Sequence, residues 1–177
     1  TGENWLDPST PRLAFKLRNT SADSILQLVS GAWCLFDSVR LLISGVEVER
    51  IGPYYGRQHQ LFRSMLMPNA WNIESAVEDG QDFAVGFYPQ VQPKEIGYGQ
   101  AISLNMTPLL GILNAQKYLP LRYMGGVQTE FTLANATEAL HPNSASRTYQ
   151  IEPAEMRMSV VRLDSALENS FSTMLLN

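Results

Sequence analysis

Cysteine, histidine and charge are all scarce in this chain: one Cys, two His and 17% charged residues among 177. The lone thiol, Cys34, rules out a disulfide within the chain and points to assembly in a reducing compartment. It sits in the apolar run Ala32-Trp33-Cys34-Leu35-Phe36, where a buried, inert thiol is expected. A cysteine nucleophile wants a neighbouring base, and nothing local ties His59 or His141 to it. Nor do two histidines and one cysteine far apart in sequence resemble a metal site. Charge lies below the usual quarter, which suits a surface covered by neighbours better than that of a solitary enzyme. Basic residues are outnumbered 13 to 17, giving a net charge of −4 and a pI near 5.2. Binding through counterion release needs a basic surface, so no direct nucleic-acid partner is expected. No run of 18 apolar residues occurs, so no membrane span is expected. GxGxxG, phosphate loop, HExxH, GxSxG and CxxC are also missing. The chain therefore reads as a non-enzyme, with no catalytic, cofactor-binding or metal residue and no cofactor. It begins at Thr1 with no signal-peptide pattern, and reads as a fragment or a processed product.

What is present is mostly period-two alternation. Leu13, Phe15 and Leu17 predict a half-buried strand, and Ile25 to Val29 a second short one. Trp33, Leu35, Val39, Leu41 and Ile43 share a face, with Asp37 as the exception. Ser44-Gly45 then predicts a tight turn into Val46–Arg50, a hairpin in which Gly45 takes positive φ. Leu61, Phe62, Met65 and Leu66 recur at helical spacing, which predicts a helix of about three turns ended by Pro68. Further strands are predicted around Phe83, Val85 and Phe87, then Ile102, Leu104 and Met106, then Val127 to Leu133. Tyr149 and Ile151 mark another, and Met156, Met158 and Val160 one more. Thr107-Pro108 reads as an N-cap followed by proline, opening a short helix through Leu109 to Asn114. Ser165 to Glu168 reads as a capping box, with Leu167, Phe171, Met174 and Leu175 on one helix face. About eight strand-like segments predict an all-β sandwich, with a jelly roll as one solution and Greek-key relatives as competitors. Its expected core is Phe15, Leu17, Val39, Leu41, Phe83, Val85, Leu104, Val127, Phe131 and Val160.

Candidate chemistry is thin. Glu47 and Glu49 read as sharing one strand face, the spacing a pair of glycosidase carboxylates would use. A solvated face opposite Val46 and Val48 accounts for them more simply. His59 reads as solvated or interfacial, His141 as exposed turn chemistry. Trp5, Trp33, Trp71, Tyr54 and Tyr55 do not alternate with basic residues, so no nucleic-acid stacking platform is built. The Asn-x-Ser/Thr triplets at Asn19, Asn105 and Asn135 read as chance matches.

Three stretches together carry a resemblance. They are Trp33-Cys34-Leu35-Phe36-Asp37-Ser38-Val39-Arg40-Leu41-Leu42-Ile43 running on through Ile51, then Lys117 to Leu133 with its Met124-Gly125-Gly126, and Met156 to Leu176. In this order they resemble the major capsid proteins of Polinton-like viruses, and more distantly those of other small double-stranded DNA viruses. The resemblance implies a structural subunit of an icosahedral virion, built in that family from two tandem jelly rolls that trimerise into capsomers. It implies homotrimers, neighbouring capsomers and minor capsid or penton proteins as partners. This chain is similar to the first roll, residues 1–164, with 165–177 a C-terminal helix leading toward a second roll absent here. Two rival readings follow from the residues alone. One is a carbohydrate-binding β-sandwich with Trp5 and Trp71 as its platform. The other is a hydrolase using Glu47 or Glu49.

Overall fold

The computed structural model describes residues 5–66, 78–84, 90–115 and 117–176. Its strands are β1 (Trp5–Leu6), β2 (Arg12–Asn19), β3 (Leu26–Gln27), β4 (Phe36–Ile43) and β5 (Val46–Ile51) in the first third. The middle holds β6 (Gln81–Ala84), β7 (Gln90–Pro93), β8 (Glu95–Ile96) and β9 (Ala101–Met106). The return is β10 (Leu119–Pro120), β11 (Val127–Leu133), β12 (Tyr149–Ile151), β13 (Glu155–Arg157) and β14 (Val160–Val161). Helices α1 (Tyr55–Leu66), α2 (Ala136–Ala139) and α3 (Ser165–Leu176) stand in the connections and at the C-terminal end.

Antiparallel pairing joins the first and last thirds in one nested series. Trp5 pairs with Val161, Ala14 with Glu155, Asn19 with Tyr149, Leu28 with Leu140 and Leu41 with Thr129. Each step forward in one arm is a step back in the other, so the two arms form a continuous ribbon. Rolled up, it places β2 between β12–β13 and β9 in one layer, and β4 between β11 and β5 in the other. The result is an all-β, jelly-roll type of sandwich. Alternation supplies the filling. Leu13, Phe15 and Leu17 of β2 are buried, as are Val39 and Leu41 of β4 and Leu104 and Met106 of β9. Phe15 meets Phe36 edge-on across the layers at 5.9 Å, and Phe36 in turn meets Phe131 at 5.0 Å.

Two bulges shape β4 and β5. Thr132 pairs with Ser38 and Leu133 with Phe36, so Asp37 is the extra residue on β4. That slip turns Phe36 into the core and frees the Asp37 carboxylate, which accepts the Tyr54 N–H at 3.1 Å. Asp37 is therefore the exception in its apolar run because it is out of the ladder. The hairpin turn forms at Ser44-Gly45, both with positive φ.

Several expectations are corrected. Val127 and Val160 are exposed, and Phe131 is only half-buried. Val127 faces the intended side but stands at the open rim, beside a largely apolar recess of about 220 Å³ with Leu6, Leu41 and Met156. Val160 lies on the edge strand of the small β10-β1-β14 sheet, where no further strand among the described residues pairs with it. Met156 and Val160 belong to two strands, since Ser159 leaves the ladder to accept the Asp7 N–H through its carbonyl. Thr107–Leu110 forms no helix, and only Ile112–Asn114 makes a helical turn. Trp33 to Leu35 also form a helical turn, so β4 starts at Phe36. Pro68, Trp71, Val85, Phe87 and the side chains of Phe83, Leu66 and Leu175 lie outside the described residues.

Urea unfolding of Phe15→Ala should show a loss of roughly 3–5 kcal/mol, the usual figure for a buried phenylalanine. Val127→Ala at the rim should lose under about 1 kcal/mol. Comparable losses at both positions would place the core boundary elsewhere.

Candidate functional site

Helix α1 is mounted the opposite way to its hydrophobic pattern. Tyr55, His59 and Arg63 recur every four residues and form its buried side. Leu61, Phe62 and Met65 face outward, at 59%, 48% and 72% exposure. The predicted apolar face is real, but it does not meet this domain's core.

Directional polar contacts hold the buried side. The Leu109 N–H donates to the Tyr55 hydroxyl at 2.7 Å. His59 Nε2 lies 3.0 Å from the Thr107 carbonyl, which can only accept, so Nε2 carries the proton and Nδ1 is bare. The Arg63 guanidinium pairs with the Asp79 carboxylate at 2.6 Å, both groups being buried. Trp33 lies beneath the helix: His59 stacks on it at 4.7 Å, 10° from parallel, and the Arg63 guanidinium is 4.7 Å from its centroid. Gln60 Oε1 accepts from both Trp33 Nε1 at 3.1 Å and Ser30 Oγ. Gly56 lets the helix come this close. A Cβ there would stand 2.8 Å from Cys34 Cα and 2.9 Å from the Trp33 carbonyl oxygen.

His59, expected to be solvated or interfacial, is instead buried against Trp33 and the Thr107 carbonyl of its own chain. Burial pushes its pKa down to about 4, helped by the neighbouring Arg63 charge and opposed by the Thr107 hydrogen bond. Asp79 moves the other way. Burial raises its carboxyl to about 6, against the pull of Arg63, because desolvation of a carboxylate outweighs one ion pair here. Tyr55 is raised by burial too. Tyr55, His59, Arg63 and Asp79 are engaged in contacts within the chain and act as a clamp.

The other sequence candidates are dispersed. The bulge at Val48 sends Glu47 and Glu49 to opposite faces, because Glu47 pairs with Leu42 and Glu49 with Leu41. Glu47 reaches Arg40 at 3.5 Å on the outer face. Glu49 accepts the Gly111 and Ile112 N–H groups, capping the short turn there. Neither is placed as a catalytic pair. Cys34 donates to the Ala139 carbonyl at 3.2 Å, and burial pushes its thiol up to about 12, so it stays protonated at neutral pH. His141 is half-buried, with Nδ1 accepting from the Asn143 N–H. Asn19 is fully buried, donating to the Ser24 and Ile96 carbonyls, so its triplet is closed to modification in the fold. Among the described residues no three His, Cys, Asp or Glu side chains gather as a metal site. Nor is any described helix long and apolar enough to cross a membrane.

At the other helix, α3, the N-cap is Asp164 rather than Ser165. Its Oδ1 accepts the Leu167 N–H at 2.9 Å, and Glu168 turns away to Arg122 at 3.1 Å. Phe171 meets Trp5 edge-on at 4.5 Å, and Ser172 bonds the Tyr123 hydroxyl at 2.7 Å. One side of α3 thus docks on its own chain, which buries Trp5 and removes it as an exposed platform. Leu167 and Met174 stay outward, 58% and 67% exposed.

A groove of about 540 Å³ runs beside the start of α1, lined by Cys34, Asp37, Tyr54, Arg57, Gln60 and Glu138 among others. The Arg57 guanidinium rests 5.2 Å from the Tyr54 ring centroid and 3.9 Å from Glu138. Comparisons with protein-family models, with curated proteins and with solved structures found no match for this chain.

The clamp makes opposed contributions to acid stability. His59 has its folded pKa below the ordinary 6.5, so its contribution is full above 6.5 and is lost as pH falls toward about 4. Asp79 has its folded pKa above the ordinary 3.8, so its contribution is full below 3.8 and is lost as pH rises through about 6. Melting temperature followed from pH 7 to 4 should therefore fall more steeply for Asp79→Asn than for the parent chain, and less steeply for His59→Gln. Three parallel curves would exclude the clamp as a titrating unit. Arg63→Met, which strands a buried carboxylate, should cost roughly 3–5 kcal/mol by urea unfolding.

Proposed function

We propose that this chain is a structural subunit of an icosahedral viral capsid, assembling through trimeric capsomers and residing in the virion. The observation that carries the reading is the pair of outward apolar helix faces on a closed sandwich: Leu61, Phe62 and Met65 on α1, Leu167 and Met174 on α3. Exposed apolar stripes on rigid elements are what a subunit needs to bury against neighbours. The rolled antiparallel ribbon supports it, as does the resemblance carried by Trp33–Ile51, Lys117–Leu133 and Met156–Leu176. Such a role needs no catalyst. Partners on this reading are copies of the chain itself and minor capsid or penton proteins.

A sugar-binding module remains the second reading, resting now on the groove at Tyr54 rather than on Trp5. Tyr54 is held at φ 65° with its ring at the groove mouth, among Asp37, Gln60 and Glu138 side chains. That is the mix of aromatic and planar polar groups a neutral sugar would use.

Size-exclusion chromatography with light scattering, run at rising protein concentration, separates the two. The capsid reading expects trimers and larger species that grow with concentration. A monomer throughout, combined with binding on a glycan array that Tyr54→Ala abolishes, would replace it with the second reading.

A further inference from the structure

We infer that β11 pairs with β11 of a second copy, antiparallel about a twofold axis through Thr129, so that two sandwiches share one continuous sheet. The inference rests on the self-assembly reading and adds to it the contact that joins one capsomer to the next.

β4 flanks β11 on one side, and no strand among the described residues flanks it on the other. Its seven residues, Val127 to Leu133, include no Lys, Pro or Gly, the usual guards of an edge. The single charge, Glu130, is held by Arg40 at 2.5 Å. The other long described edges are interrupted: β5 carries the bulge at Val48 and three charges, and on β9 the Asn105 N–H already donates to the Glu78 carbonyl. β11 is also incompletely covered on its inner face. Val127, Thr129 and Phe131 lie in register with Ile43, Leu41 and Val39, yet Val127 is exposed and the other two are half-buried. Val127 and Thr129 line the apolar recess of about 220 Å³ at the rim, together with Leu41, Met156 and Met158.

A second β11 supplies the missing cover. Inner residues must meet inner ones, so odd positions face odd positions. With the axis through Thr129, Val127 faces Phe131 of the second copy, Thr129 faces its own equivalent, and Gln128 faces Glu130. These are an aromatic against a β-branched residue, two threonines, and amide N–H donors against a carboxylate, all favourable across an antiparallel pair. An axis through Glu130 sets carboxylate against carboxylate. An axis through Phe131 runs the pairing into the break at Thr132/Leu133, and one through Gln128 carries Phe131 beyond the end of the strand. In the Thr129 register each Phe131 ring comes over the recess at the other copy's Val127. An apolar space of about 150 Å³ already holds benzene, so a phenyl ring fits there.

A twofold contact is closed once two copies meet, so it links capsomers and leaves their threefold contacts to other surfaces. The stretch from Val127 to Phe131 falls short of the ~800 Å² per partner of a standard interface. One such pair is therefore weak, and a capsomer that presents three of them is held by their sum.

Gln128 tests the register in the full chain, because its side chain is exposed and its replacement should leave the melting temperature close to the parent's. Gln128→Glu sets carboxylate against carboxylate twice across the axis and should weaken association roughly fivefold by sedimentation velocity. Gln128→Lys sets an ammonium against Glu130 twice and should strengthen it by a similar factor. Cross-linking reads the register directly. Gln128→Cys mixed with Glu130→Cys and oxidised should give the mixed disulfide, the native Cys34 being buried. A Glu130→Cys homodimer in its place, or both charge variants associating like the parent, would overturn the pairing while leaving the capsid reading intact. A parent that stops at trimers would overturn it too, with the capsomer untouched. A parent that is monomeric at every concentration overturns both. If a charge variant unfolds, the cross-link decides alone.

Discussion

Everything in this molecule hangs on the antiparallel pairing of its first forty or so residues with its last fifty. Trp5 to Leu41 meets Val161 to Thr129 in an almost unbroken register, and the rest of the chain is inserted at the far end of that ribbon. A ribbon of this length exposes two edges and one apolar face, and rolling it up hides the face between layers. β9 then lies along the other side of β2, and β5 closes the side of β4. Such pairing is almost wholly non-local, so folding depends on closing long loops before the ladder can reward them.

The way α1 is attached explains its outward leucine. Filling the space above Trp33 with aliphatic side chains would hold the helix equally well and leave its polar side wet. Instead the contact is made by an ion pair, two hydrogen bonds to the Thr107–Leu109 segment and a stacked imidazole. Buried polar contacts of this kind contribute little net stability over a hydrophobic replacement, yet they define position and orientation narrowly. The consequence is geometric: an apolar stripe is displayed on a helix that cannot roll to hide it. On the proposed capsid reading, orientation of that stripe matters more than a further increment of stability.

Local irregularities serve the same end. The bulge at Asp37 turns a carboxylate toward Tyr54 at the start of α1, and the bulge at Val48 points Glu49 at the Gly111–Ile112 turn. Both carboxylates join strands to connections by accepting backbone N–H groups of the neighbouring segments. Their chemistry is structural, although on a sequence page two glutamates two apart invite a catalytic interpretation.

Much of the architecture was legible in the residues. Alternation in Leu13–Leu17, Ile102–Met106 and Val127–Leu133 determined strands and their inner faces, and Ser44-Gly45 determined a hairpin, because period two and positive φ are local properties. The helical period of Leu61, Phe62 and Met65 determined an amphipathic helix, and so did that of Leu167, Phe171 and Met174. Which face each helix turns inward was decided only by tertiary structure. Tyr55, His59 and Arg63 carry the same four-residue spacing as the leucine stripe, and the choice fell to partners distant in sequence: Trp33, Asp79 and Thr107. Glu47 and Glu49 were separated by a one-residue slip against β4 that no spacing in β5 records. Asp164 rather than Ser165 caps α3, and Glu168 is drawn to Arg122, which only the fold brings within reach of the helix. Period and turn geometry are written in neighbouring residues, whereas register, bulges and the mounting of a helix are set by what arrives from the other end of the chain.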